Sequence, residues 1–196
     1  MIRRPPRSTR KESSAASDVY KRQPKALTKN FKPASIFVLR NNDLGDYLVI
    51  TPLLSELKKQ LPGTKIYLGL GPWAQSLAEN NPYIDEVIPC PAPWHNKQIC
   101  DYPANSLKHF FNAFKFSLFS QTTRAIQTKK IELGIDILGS PEGSVFLKSC
   151  SIPYRFGVKG YHDFDPKMLE MLKKQMSIMD KIQGTSFENT CPEFFE

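Results

Sequence analysis

Residues 40–46 bring a guanidinium (Arg40), two side-chain amides (Asn41 and Asn42) and two carboxylates (Asp43 and Asp46) together around one glycine, Gly45. Such a set can meet a polar or charged ligand from several sides, provided something holds it in place. The flanking residues supply that hold. Before the set lies an apolar run, Ile36, Phe37, Val38 and Leu39, of types that favour strands. The run has no alternating polar face, so it reads as a strand buried on both sides. Polar turn formers end it, and Gly45 can take backbone angles closed to other residues. Beyond Asp46 the period changes, and Ile50, Leu53, Leu54, Leu57 and Leu61 share one helix face. A buried strand, a Gly turn and an amphipathic helix make the first half of a βαβ unit. Ligands of such sheets bind beyond the carboxyl ends of the strands, where Arg40, Asn41, Asn42, Asp43 and Asp46 all lie.

The rest of the chain repeats the alternation. After a polar lead-in over 24–34, strand one covers 35–40 and helix one 46–60. Thr51-Pro52 offers a second start for that helix, with Thr51 as cap and Pro52 as first residue. Strand two covers 64–70, a short helix 73–80 and strand three 85–90. Pro89, Pro91 and Pro93 open an irregular segment that runs to Pro103. A helix over 105–128 presents Leu107, Phe110, Phe111, Phe114 and Leu118. Strand four covers 130–138, a helix 142–150 and strand five 153–158. A last helix, 166–183, turns Met168, Leu169, Leu172, Met176 and Met179 inward, and methionines at that spacing read as core. Strands separated by helices mean an α/β fold, with a parallel sheet and helices on both faces. One such domain spans 35–183, and the chain is irregular over 184–196.

Composition removes several function classes. The net charge of +8 sits mostly in residues 1–23, which hold Arg3, Arg4, Arg7, Arg10, Lys11, Lys21 and Arg22 against Glu12 and Asp18. A nearly balanced body with a basic tip is no phosphate-binding surface, so nucleic acid is not an expected partner. Residues 1–23 lack a signal-peptide core and a periodic apolar face, and read as non-native sequence, a disordered basic arm or an organelle transit peptide. No apolar run approaches the roughly 18 residues of a membrane helix. Cys90, Cys100, Cys150 and Cys191 are too far apart for a structural zinc site, and read as free thiols in a reducing compartment. No Walker sequence, nucleophile elbow or metal-ligand cluster occurs, so no metal is implied. Trp94 and His95 read as a sugar-stacking pair or as a partly buried loop pair. His109 reads as structural, and His162-Asp163 has no evident partner.

The ordered blocks resemble the N-terminal domain of glycosyltransferase family 9, which includes the lipopolysaccharide heptosyltransferases. Arg40, Leu44-Gly45-Asp46 and Thr51-Pro52-Leu53 match the family's first strand, turn and helix in order and spacing. Leu61-Pro62-Gly63 and the run from Asn81 to Val87 match its next two blocks. Residues 131–157, with Asp136 in a strand and Arg155-Phe156-Gly157 at a turn, resemble its later part. The resemblance covers roughly 35–160.

It implies the N-terminal, acceptor-binding half of a GT-B enzyme, with the nucleotide-sugar donor, ADP-heptose, bound mainly by a second domain and no further cofactor. The implied reaction is an inverting transfer of a heptose to a lipid-linked oligosaccharide acceptor of lipopolysaccharide core synthesis, in a bacterial cytoplasm at the inner face of the membrane. Such a transfer needs a group to take the proton from the attacking hydroxyl, and Asp46 stands at the matching position. The alternative for Asp46 is a helix-cap aspartate. Arg40 is expected on an anionic acceptor group or in a salt bridge to Asp43 or Asp46. Asn41 and Asn42 are expected on sugar hydroxyls, and Gly45 where backbone approaches the ligand. Asp43 departs from the small or hydroxyl residue usual there. On this reading residues 184–196 begin an interdomain linker, and the 196-residue chain alone is inactive. The rival readings are a non-catalytic Rossmann-like binding module and a GT-B transferase with another donor sugar.

Overall fold

The computed structural model describes residues 31–94, 99–100, 102–103 and 106–157. Strand β1 (Ser35–Leu39) is buried along its whole length at the centre of a five-stranded sheet. It pairs in parallel with β2 (Lys65–Leu70) on one side and with β4 (Leu133–Asp136) on the other. Strand β3 (Glu86–Pro89) lies outside β2, and β5 (Tyr154–Gly157) outside β4, again in parallel. The order is therefore β3-β2-β1-β4-β5. The chain runs outward from β1 to β3, then crosses back to β4 on the far side of β1. That reversal opens a crevice between the carboxyl ends of β1 and β4.

The continuous apolar run of β1 is explained by two cores, one on each face. Ile36 and Val38 pack with Tyr47, Ile50 and Leu54 of α1 (Leu44–Gln60) and with Ala78 of α2 (Gln75–Ala78). Phe37 and Leu39 pack with Ala113 of α3 (Leu107–Phe119), Ile126 of α4 (Gln121–Thr128) and Phe146 of α5 (Pro141–Ser149). The fold is the expected α/β, Rossmann-like parallel sheet with helices on both faces.

Local differences from the sequence reading have physical causes. Helix α1 starts at Leu44 and runs unbroken through Pro52. Pro52 has no N–H to give the Leu48 carbonyl, and the Thr51 hydroxyl donates to that carbonyl instead, at 2.8 Å. Thr51 is thus a partner for an orphaned carbonyl and not the cap of a new helix. Leu53 turns outward with Leu48 and Val49, and the core takes Tyr47 in its place. The helix expected over 105–128 is two helices, broken at Ser120, whose extended backbone and side chain cap α4 by accepting from the Thr123 N–H at 3.1 Å. The buried face of α3 is His109, Phe110, Ala113 and Ser117, while Leu107 and Phe111 are exposed. Ala113 and Ser117 are small and let α3 come close to α5. The helix expected over 166–183, with residues 184–196, His95, Cys191 and His162-Asp163, lies outside the described residues.

No helix among the described residues is long and apolar enough to cross a membrane. Among them, no group of three His, Cys, Asp or Glu side chains could hold a metal ion.

Candidate functional site

The turn after β1 is fastened before its side chains are considered. The Arg40 N–H donates to the Gly69 carbonyl at 3.0 Å, which carries the β1–β2 ladder one residue further. Trp73 Nε1 donates to the Asn42 carbonyl at 2.6 Å. Residues 40–42 are therefore held by the neighbouring strand and by the turn that follows it. Asp43 caps α1 in extended conformation.

Asp46, in the first turn of α1, faces two ways. Its Oδ1 accepts from Arg40 Nη2 at 2.6 Å, and its Oδ2 accepts from the Asp43 N–H at 3.0 Å. The Asp46 side chain is 32% exposed and that of Arg40 only 12%. The ion-pair reading of Asp46 is thus realised, while the cap itself is Asp43 and Asp46 closes its capping box from the third helical position. Each oxygen keeps a second lone pair, and the carboxylate still reaches solvent at the mouth of the crevice.

Two buried donors beside this pair are left over. Arg40 Nε and Asn41 Nδ2 have no hydrogen-bond partner among the described residues, and Asn41 is 3% exposed. A buried donor without an acceptor costs about 1–3 kcal/mol, and orphans of this kind call for a functional or solvent explanation. Here they point to a ligand with acceptor oxygens, such as sugar hydroxyls, phosphates or carboxylates. Asn42 is also buried, and its backbone serves to anchor Trp73.

Gly45 takes no positive φ, so the backbone freedom expected of it is not used. It is the second residue of α1, is exposed, and a Cβ placed on it meets nothing within 4 Å. Its lack of a side chain leaves open space over the helix start.

The opposite wall of the crevice starts with Asp136, which the sequence reading left as part of a strand. Asp136 lies beside Leu39 in the sheet register and is 2% exposed. Its Oδ1 accepts from the Leu138 N–H at 3.1 Å, and its Oδ2 from the Ser140 N–H at 2.8 Å and the Ser140 hydroxyl at 3.2 Å. Gly139 completes the turn at φ 65°, and Ser140 caps α5 by accepting from the Gly143 N–H. A Cβ on Gly143 would lie 2.1 Å from Asp136 Oδ2, so only glycine fits there. The signal available in the sequence was a lone acid closing an apolar strand.

Burial pushes the Asp136 carboxyl up to about 6, against the pull of its hydrogen bonds from Ser140, Leu138 and Gly139. Its native pKa lies above the unfolded value of 3.8, so its contribution to stability is full below that value and is lost as pH rises through about 6. The loss for this one group is on the order of 3 kcal/mol. The stability difference between the wild type and Asp136→Asn, measured by urea unfolding from pH 4 to pH 7, is expected to change by that amount. The variant should also carry a fixed loss of roughly 1–3 kcal/mol, because its amide presents N–H to a backbone donor. A difference that stays constant across this range would contradict the assignment.

Trp94 is in the core. It is 1% exposed and packs edge-on to Phe116 at 5.6 Å and against Phe146 at 5.7 Å between ring centroids. No sugar can reach it there.

No family model matches the chain, and no curated protein matches it. Among solved structures it is similar to the ADP-heptose lipopolysaccharide heptosyltransferase II of E. coli, at 17% identity and a TM-score of 0.47, over 70% of this chain and 33% of that one. It is similar to a glycosyl transferase family 9 protein of Veillonella parvula, at 17% identity and a TM-score of 0.47, over 80% of this chain and 43% of that one. It is similar to the E. coli heptosyltransferase WaaC with ADP-2-deoxy-2-fluoro heptose, at 15% identity and a TM-score of 0.48, over 82% of this chain and 52% of that one. The chain thus spans between a third and about half of their length.

Proposed function

We propose that this sheet is the acceptor-binding half of an inverting glycosyltransferase of family 9, with Asp46 as the base that takes the proton from the acceptor hydroxyl. The reading rests on the ordered sequence blocks around Arg40 and Leu44-Gly45-Asp46. The single observation that carries it is the pairing of a solvent-reaching carboxylate with two buried donors that have no partner among the described residues, Arg40 Nε and Asn41 Nδ2. A saccharide with anionic groups offers the acceptor oxygens those donors lack, and a hydroxyl for the carboxylate.

Arg40 and Asn41 hold the acceptor, Asn42 fixes the turn, and the bare backbone at Gly45 admits the sugar ring. Asp46 receives the proton as the new bond forms. The donor, a nucleotide-activated heptose such as ADP-heptose, is bound mainly by a second domain outside the described residues. The acceptor is a lipid-linked core oligosaccharide of lipopolysaccharide, reached from the inner membrane surface in the cytoplasm. No metal or further cofactor takes part.

The test uses that chain and a phosphorylated lipopolysaccharide core oligosaccharide in calorimetric titration. Saturable binding is expected, weakened about tenfold or more by Arg40→Ala, which removes a charge-assisted contact of about 1.5–3 kcal/mol. Absence of binding, or binding that ignores Arg40→Ala, would contradict the proposal.

A further inference from the structure

Three side chains that no step above uses meet on the α3–α5 side of the sheet. Cys100 Sγ lies 3.2 Å from His109 Nδ1, and His109 Nε2 lies 3.4 Å from Glu142 Oε1, an ion-pair distance without the alignment of a hydrogen bond. His109 is 1% exposed and Glu142 6%, whereas Cys100 is partly open to solvent. The three come from separate elements: the segment before α3, the first turn of α3 and the first turn of α5.

The order fixes how protons are shared. An imidazole nitrogen facing a buried carboxylate at this range is held with its proton on, since two lone pairs there would repel. Neutral His109 is then protonated at Nε2, and Nδ1 presents a lone pair to the thiol. The thiol has two acceptors in reach, Nδ1 and the Tyr102 carbonyl at 3.1 Å. Moving its proton to Nδ1 leaves a thiolate beside an imidazolium that is itself balanced by Glu142. A nucleophile, a base and a carboxylate that orients the base is the arrangement that activates a thiol.

We propose that Cys100 is a reactive thiol, activated by His109 and positioned by Glu142, which exchanges with small disulfides. In the exchange, Cys100 Sγ gives its proton to His109 Nδ1 and attacks one sulfur of the disulfide. The S–S bond breaks, its electron pair leaves with the other sulfur, and a mixed disulfide forms on Cys100. The departing thiolate takes the proton from His109. Cys90 and Cys150 cannot compete, because both are buried and burial pushes their thiols up.

Other charged groups lie on the same packed elements. Lys108 of α3 lies over the Tyr102 ring, 5.7 Å from its centroid. Lys115 of α3 is exposed, and Lys148 of α5 is buried. Asp136 is turned to Ser140 and Leu138.

The experiment is the pH–rate profile for reaction of the 196-residue chain with dipyridyl disulfide, with peptide mapping to assign the modified cysteine and glutathione as the reference thiol. An unassisted thiol loses about thirtyfold in thiolate between pH 7.5 and pH 6. Cys100 is expected to lose several-fold less than glutathione over that range, because His109 Nδ1 takes the thiol proton as the attack begins. His109→Asn should restore the glutathione-like slope, and Cys100→Ser should remove the fast phase. Glu142→Gln should slow the reaction several-fold at pH 6 and little at pH 9, a pH-selective effect that a packing role would not give. If His109→Asn does not fold, the wild-type profile and Glu142→Gln decide the matter. A wild-type Cys100 profile parallel to that of glutathione would overturn the proposal, as would labelling confined to Cys191.

Discussion

On the proposed function, replacing Asp46 with Asn in an enzyme that joins this sheet to a donor-binding domain is expected to lower kcat by roughly a hundred- to ten-thousand-fold, the range spanned by loss of a general base. The amide keeps the size of the side chain, and its oxygen can still accept from the Asp43 N–H. What it cannot do is take a proton. Loss of the charge partner for Arg40 and weakening of the helix start should cost only about 1 kcal/mol of stability, so the variant should fold. Acceptor affinity should change little, because Arg40 and Asn41 remain, and freeing Arg40 Nη2 leaves it one more donor for the acceptor. The signature is therefore a fall in kcat with KM nearly constant. Turnover within about threefold of wild type would demote Asp46 to a capping group that positions Arg40, since loss of a base costs far more.

The largest structural effect is expected from Trp94→Ala. The sequence left Trp94 open as a sugar-stacking platform beside His95. The structure instead buries it between Phe116 and Phe146. Removing a fully buried indole should cost about 3–5 kcal/mol, which lowers Tm by roughly 10 °C or more in a domain of this size. Because the side chain fills the α3–α5 face and not the crevice, oligosaccharide binding by the fraction that stays folded should be unchanged. A variant that melted like wild type and lost saccharide affinity would return Trp94 to the ligand.

Both predictions turn on how the sequence and the fold correspond. The β1 run was legible because Ile36, Phe37, Val38 and Leu39 are apolar without alternation, and only a strand covered on both faces uses such a run. The residues after it were legible as a candidate site because the switch point of a parallel sheet lies there. Helix faces were harder. In α3 the largest side chains suggested the buried face, but Ala113 and Ser117 set it, because small residues allow the closest approach to α5. Ser120 was hidden inside a periodic pattern that continues on both sides of it, and only its extended backbone ends the helix.

Within the site, the Arg40–Asp46 contact was among the stated alternatives, and spacing alone could not choose it. Gly45 was given a conformational role that the backbone does not use. Asp136 was passed over because one acid at a strand end carries no pattern, and its meaning comes from Ser140 and Gly143, which lie close only once the turn at Gly139 is made. Cys100, His109 and Glu142 are separated by 9 and 33 positions, and no spacing rule joins them. The contact exists because α3 packs against α5.

The most direct test of the central claim is hydrogen–deuterium exchange of the 196-residue chain with and without the phosphorylated core oligosaccharide. Protection is expected over residues 40–46, and over 137–143 across the crevice, with little change at β3 and β5. Protection elsewhere on the domain, or none at saturating saccharide, would contradict an acceptor site built on Arg40, Asn41 and Asp46.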